Sequence, residues 1–175
     1  GEDEKRDIAI RVIADHARGA TFIINDGILP SKEGRGYVLR RIIRRALRYG
    51  RKLGIQKEFL NDLTTNVVDI MEDAYPDVRN NHAYIMRVIK GEEERFIETL
   101  GMGMKLYEEF ARELKGSGRS VIPGDLVYKL YDTYGFPVDI TTDMANEDGL
   151  HVDKDGFEKA LARQKERSKK SSHIK

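Results

Sequence analysis

The chain contains no cysteine and no tryptophan, and only four of its 175 residues are proline. The absence of cysteine excludes disulfides, zinc–thiolate sites and cysteine nucleophiles. No apolar run approaches the roughly 18–20 residues that a bilayer-spanning helix needs, and no cationic and then apolar leader opens the chain. We therefore expect a soluble, cytoplasmic protein. Because the sequence starts at Gly1 rather than Met, we also interpret it as part of a larger protein.

The distribution of charge is more informative than its sum. The net charge is only +1, but the 21 residues from Lys32 to Lys52 contain nine basic side chains and a single acid, Glu33. The rest of the chain contains the other 22 basic and 29 acidic residues and is net negative. A strongly positive patch on an acidic protein attracts an anionic partner.

Apolar residues recur at spacings of three and four along most of the chain, which is the period of amphipathic helices. No alternating β-branched run is long enough to predict a sheet. The sequence thus predicts an all-α fold, an irregular bundle of about six to seven helices with one long helix, and a frayed tail over 169–175. The predicted helices cover about 6–24, 37–52, 57–74, 81–115, 123–134, 138–147 and 153–168.

The helix predicted over 37–52 has an apolar half and a basic half when its residues advance by about 100° each. No acid within the helix pairs with the basic residues, and like charges at spacings of three and four destabilise a helix. The apolar half comprises Val38, Leu39, Ile42, Ile43, Ala46, Leu47, Tyr49 and Leu53. The basic half comprises Arg40, Arg41, Arg44, Arg45, Arg48, Arg51 and Lys52.

Two explanations of this basic half remain open. Arginine suits phosphate oxygens because its planar fork can donate two parallel hydrogen bonds, and the preceding Gly34-Arg35-Gly36 loop leads to a helix N-terminus that favours anions. Alternatively, acids elsewhere such as Glu92–Glu94 neutralise the basic half within the fold. We otherwise predict Glu92–Glu94 to be a solvated helix face. The four histidines have no metal-ligand spacing, and we find no catalytic constellation.

Two long blocks resemble the alanyl-tRNA synthetase family. Residues 35–48 read Arg-Gly-Tyr-Val-Leu-Arg-Arg-Ile-Ile-Arg-Arg-Ala-Leu-Arg, and residues 130–139 read Leu-Tyr-Asp-Thr-Tyr-Gly-Phe-Pro-Val-Asp. Val-Ile-Ala-Asp-His at 12–16 precedes the first block, and Gly-Phe at 156–157 with Gln164 follows the second, in the same order as in the family. The resemblance covers nearly the whole chain.

The resemblance implies a class II synthetase that uses ATP and Mg²⁺ to join alanine to its tRNA. Residues 1–175 resemble the helical tRNA-recognition domain of that enzyme. The catalytic domain would lie upstream and the zinc-binding editing domain downstream, so the chain carries neither. We therefore expect the fragment to bind the acceptor stem of tRNA(Ala) and to be inactive as a catalyst on its own.

The resemblance also implies which residues contact RNA. In the family a G·U wobble pair in the acceptor stem is read by an aspartate, which matches Asp132, and by an asparagine, which matches Lys32. A carboxylate accepts a hydrogen bond from the exocyclic amine of guanine, whereas lysine is a donor only. Lys32 is therefore expected to donate to a uridine carbonyl or to touch phosphate, and Asp132 is alternatively a helix-end cap. Backbone contacts are assigned to Arg35, Arg40, Arg41, Arg44, Arg45, Arg48, Arg51 and Lys52.

Two further functions stay open at this point. The basic half is also compatible with a helical scaffold that binds an acidic protein partner. The apolar side of the first helix would alternatively dock the catalytic domain of the same enzyme, which an exposed apolar patch would favour.

Overall fold

The computed structural model describes the backbone of residues 2–172 and the side chains of residues 3–169. The helices in this part of the chain are α1 (Glu2–Asn25), α2 (Gly34–Lys52), α3 (Leu60–Met71), α4 (Pro76–Asn80), α5 (His82–Gly116), α6 (Gly124–Asp132), α7 (Val138–Glu147) and α8 (Lys154–Ser172). Two strands, β1 (Val121–Ile122) and β2 (His151–Val152), pair in parallel. The predicted all-α fold with one long helix is confirmed.

The boundaries of the third and the last helix differ from the prediction. The third helix was predicted over 57–74, but α3 is shorter, and Pro76 begins α4 instead of only ending its predecessor. Proline suits the first position of a helix because the backbone N–H it lacks would have no partner there. The last helix extends to Ser172, four residues further than predicted, and the fraying of the tail over 169–175 stays a prediction. Residues 173–175, like Gly1, lie outside the described residues.

The chain divides into two compact units, Gly1–Glu98 and Thr99–Lys175. The boundary falls within α5, so His82–Glu98 belongs to the first unit and Thr99–Gly116 to the second. That a single tRNA-recognition domain covers both units stays a prediction.

In the first unit, α1 packs on α2. Leu39, Ile43 and Leu47 of α2 are at most 2 % exposed. An ideal Cβ on Gly50 would lie 2.3 Å from the Phe59 ring, so the end of α2 and the start of α3 approach closely only because residue 50 has no side chain. The buried apolar residues of α1 are Ala9, Ile13, Ala17, Ala20 and Ile24.

In the second unit, α6 packs on α8, and the paired strands β1 and β2 precede these two helices. Gly103 of α5 faces the ring of the fully buried Phe136, since a Cβ there would lie 2.5 Å from a ring atom. The Asp153 carboxylate accepts a hydrogen bond from the Gly156 N–H at 2.9 Å, so the predicted cap at the start of the last helix is confirmed.

None of the helices in the described part of the chain combines the length and the apolarity needed to cross a membrane.

Candidate nucleic-acid interface

The loop before α2 is tied to the first turn of that helix. The Ser31 backbone N–H donates to the Gly36 carbonyl at 3.1 Å, and the Ser31 hydroxyl donates to the Glu33 carbonyl at 2.6 Å. Gly34 has φ +62°, and a Cβ on Gly36 would lie 2.2 Å from the Leu29 carbonyl oxygen. Helix α2 begins at Gly34, three residues earlier than predicted. Gly34 is favoured there by its positive φ, and Gly36 lets the helix start lie against the backbone of Leu29 because it has no side chain.

This loop presents basic side chains at the start of α2. Lys32 and Arg35 are both exposed, on either side of Glu33 and Gly34. Glu33 precedes the helix without forming a side-chain cap. The first backbone N–H groups of α2 therefore have no side-chain cap from Glu33. They lie next to Lys32 and Arg35 in the chain, and both features favour an anion at this end of the helix.

The middle of α2 is anchored by a buried ion pair with α5. The Arg44 Nε and Nη2 atoms lie 2.7 and 2.6 Å from Glu92 Oε1, and these two side chains are 5 % and 3 % exposed. The Arg40 Nε donates to the same oxygen at 3.1 Å. The Arg44 guanidinium carbon also lies 4.9 Å from the centre of the Phe96 ring. Burial lowers the pKa of Arg44, and the nearby Glu92 carboxylate opposes that shift.

The neighbouring acid Glu93 is fully buried and caps α3. Its carboxylate accepts hydrogen bonds from the backbone N–H groups of Phe59, Leu60 and Asn61 at 3.0, 2.8 and 2.8 Å. Burial raises the pKa of Glu93, and these three hydrogen bonds oppose that rise. Phe59 forms no side-chain cap of its own, so Glu93 supplies from α5 the negative charge that a helix N-terminus favours.

The prediction of a solvated face at Glu92–Glu94 is therefore wrong for two of the three residues. Glu92 and Glu93 are 3 % and 0 % exposed, while Glu94 is exposed and lies 3.9 Å from Lys90. The missed signal lies in the spacing along α5. Glu93 follows the buried Ile89 by four residues and precedes the buried Phe96 by three, so it occupies a core-facing position.

The uniform basic half predicted for α2 is thus divided. Neutralisation within the fold applies to Arg44 and to Arg40. Arg48 is also buried, at 3 % exposure, with its guanidinium carbon 5.6 Å from the centre of the Tyr49 ring. Arg45 and Arg51 are partly buried, and Arg51 hydrogen-bonds Gln56. The exposed basic residues of this region are Lys32, Arg35, Arg41 and Lys52.

Asp132 is the last residue of α6 and is exposed. Burial and the nearby Asp132 carboxylate raise the pKa of the Tyr128 hydroxyl. A carboxylate at a helix C-terminus cannot donate to the last carbonyls, and the helix dipole opposes it there. A capping role therefore does not explain Asp132.

The residues around Asp132 hold the end of α6 in place. The Tyr131 ring contacts Phe157 edge to face at 5.6 Å, and Gly135 turns the chain with φ +71° before the buried Phe136. Asp132 belongs to the second unit, whereas Lys32 and α2 belong to the first. Among the side chains described, residues 3–169, no three His, Asp or Glu are grouped closely enough to hold a metal ion.

Comparison with known proteins identifies the family. A sequence model of the family described as tRNA synthetases class II (A) matches residues 1–175. The chain belongs to this family. It is 51 % identical over 167 residues to the alanine–tRNA ligase of Nitratidesulfovibrio vulgaris, a match that covers 95 % of the chain and 19 % of the relative.

Two further relatives carry the same name. The alanine–tRNA ligase of Halalkalibacterium halodurans is 51 % identical over 169 residues, which is 97 % of the chain and 19 % of the relative. That of Thermoanaerobacter sp. is 48 % identical over 171 residues, which is 98 % of the chain and 20 % of the relative. These matches confirm the resemblance seen in the two sequence blocks. The chain spans about a fifth of the length of each of these relatives.

Proposed function

We propose that the chain is the tRNA-recognition part of a synthetase that joins alanine to its tRNA. The observation that carries this proposal is the 48–51 % identity, over at least 95 % of the chain, to proteins named alanine–tRNA ligase. The ATP- and Mg²⁺-dependent ligation, and any zinc-dependent editing, would then belong to the remaining four fifths of the synthetase. On its own the chain would bind RNA in the cytoplasm and catalyse nothing.

Contacts to the RNA backbone come from the exposed part of the basic region. Arg35 and Arg41, with Lys32 and Lys52, are exposed and suited to phosphate oxygens. Arg44 instead contributes indirectly, because its ion pair with Glu92 holds α2, and so the exposed basic side chains of α2, against α5. The other predicted backbone contacts are at least partly buried, so we expect them to contribute less to phosphate binding. They are Arg40, Arg45, Arg48 and Arg51.

Base recognition comes from Asp132. An A-form acceptor stem displays the exocyclic amine of guanine in its wide minor groove, and an exposed carboxylate can accept a hydrogen bond from that amine. An A·U pair offers no such donor there. The position of Asp132 at an exposed helix end, where a carboxylate does not favour the helix, supports a role in binding. Lys32 would donate to a uridine carbonyl or to phosphate.

Fluorescence anisotropy with a labelled acceptor-stem hairpin tests both parts of the proposal. Four phosphate contacts predict a slope of about −3 to −4 when log K is plotted against log[salt]. A hairpin in which A·U replaces G·U lacks the exocyclic amine of guanine and should compete less well than the parent hairpin. A flat salt response would refute phosphate contacts, and equal competition by both hairpins would instead indicate a basic scaffold without base recognition.

A further inference from the structure

The first unit contains an apolar groove that the proposed RNA contacts do not use. It has a volume of about 780 Å³ and lies between α1, α3 and the segment that joins α2 to α3. We propose that this groove docks an amphipathic helix from the part of the same synthetase polypeptide that lies outside residues 1–175. This inference goes beyond RNA recognition, and it rests on the proposed function only in that the chain is part of a longer synthetase.

Large apolar side chains line the groove although water reaches them. Ile70 of α3 is 77 % exposed and Ile10 of α1 is 48 % exposed. Leu63 and Val67 line the same groove and are half-buried, while Ile13 is buried. Single exposed apolar residues are common on proteins, but a contiguous apolar groove of this kind marks an interaction site.

The shape and the border of the groove fit a helix. A groove between two packed helices accepts a third whose apolar residues recur at i, i+3, i+4 and i+7. Arg11, Asp15 and Arg18 of α1 also line the groove and are exposed, and Arg18 donates to Asp15 at 3.1 Å. These charged residues call for a partner with a polar face beside its apolar one, which is an amphipathic helix.

The chain matches only part of each relative, which favours an occupant of the groove from the same polypeptide. About four fifths of each relative compared above lies outside the matched region. A tethered segment has a high effective concentration at the groove, so a modest apolar contact is enough to hold it.

Other occupants fit less well. A symmetric pairing of two copies would place one concave groove against another and leave both unfilled. A small ligand would need several converging polar groups to orient it, whereas the lining away from the charged residues is apolar except for Asn66.

Thiol accessibility in the full-length synthetase tests this inference. Ile70→Cys places a thiol in the groove, and Asp62→Cys places a matched thiol on an exposed position of α3 that does not line it. Peptide-resolved alkylation should show the thiol of I70C reacting at least about tenfold more slowly than that of D62C, because occupation of the groove blocks the reagent. Equal rates would overturn the proposal.

A cross-linker attached to the thiol of I70C identifies what covers it. A link to a peptide of the same polypeptide outside residues 1–175 supports the proposal. A link to a second copy or to a residue within 1–175 overturns the choice of occupant. As a second variant, Ile70→Glu should lower the melting temperature of the full-length protein, because a charge would be buried under the docked helix, whereas Asp62→Glu should not. Equal melting temperatures of the two variants would also count against docking.

Discussion

The Glu92→Ala substitution is the sharpest test of the divided basic region. It removes the carboxylate that pairs with the buried Arg44 and the partly buried Arg40. Removing one partner of a buried ion pair typically costs about 3–5 kcal/mol, because the other charge remains buried without compensation. Domain stabilities are about 5–15 kcal/mol, so the substitution should remove a large fraction of the free energy of unfolding.

Urea denaturation followed by circular dichroism measures this loss, and Glu94→Ala is the matched control. Glu94 is the next acid but one along α5 and is exposed, so its replacement should change stability by less than about 0.5 kcal/mol. In the double variant Glu92→Ala/Arg44→Met, the stranded charge is also removed. We therefore expect it to recover about 1–3 kcal/mol of the loss, which is the coupling expected for residues in direct contact. A loss below about 1 kcal/mol for Glu92→Ala would refute the anchoring role of this pair.

Three further predictions concern RNA binding and pH. Arg41→Ala should cost less stability than Arg44→Met, because Arg41 is exposed, and it should make the salt slope shallower by about 0.7–0.9, as expected for one lost phosphate contact. Arg44→Met should reduce stability with little change of slope. Anisotropy and urea denaturation of both variants check this. Asp132→Ala should reduce the preference for a G·U over an A·U hairpin by about 1–3 kcal/mol in competition binding, and an equal loss on both hairpins would remove Asp132 from base recognition. The pKa of Glu93 is raised in the folded state, so the folded protein retains a proton that the unfolded chain releases. The contribution of Glu93 to stability should therefore decline as pH rises from the ordinary carboxyl pKa through the raised one. Urea midpoints of the parent and Glu93→Gln across this range should differ in slope, and parallel curves would contradict the raised pKa.

Much of the helical architecture is local and therefore readable from the sequence. The sixth predicted helix, 138–147, agrees with α7 because Pro137 sets its start and Gly149 follows its end. The start of α8 follows from Asp153, whose carboxylate needs only a backbone N–H three residues later. Strands β1 and β2 were missed because each has only two residues, which is too short to produce an alternating pattern. Val121 pairs with His151, and Ile122 pairs with Val152.

The candidate site was less predictable because its organisation depends on contacts between distant segments. The sequence indicates that α2 is amphipathic, but Arg41 and Arg44 have the same side chain and lie within one turn of each other. Only the packing of α5 distinguishes them, since it brings the Glu92 carboxylate to Arg44 from 48 residues away along the chain. The position of Glu92 three residues after the buried Ile89 hinted at burial, yet no local pattern identifies its partner.

Under the proposed function, this division of the basic region would limit the RNA affinity of the chain on its own. If about four exposed cations contact phosphate, the electrostatic contribution resembles that of non-specific nucleic-acid binding, for which Kd is typically about 10⁻⁴–10⁻⁶ M at physiological salt. One carboxylate that discriminates a wobble pair by about 1–3 kcal/mol changes relative affinity by about 5- to 150-fold, but it supplies little binding in itself. Under the proposed function, efficient selection of the correct tRNA would therefore require further contacts from the rest of the synthetase, and the chain would act by comparing stems that are already held.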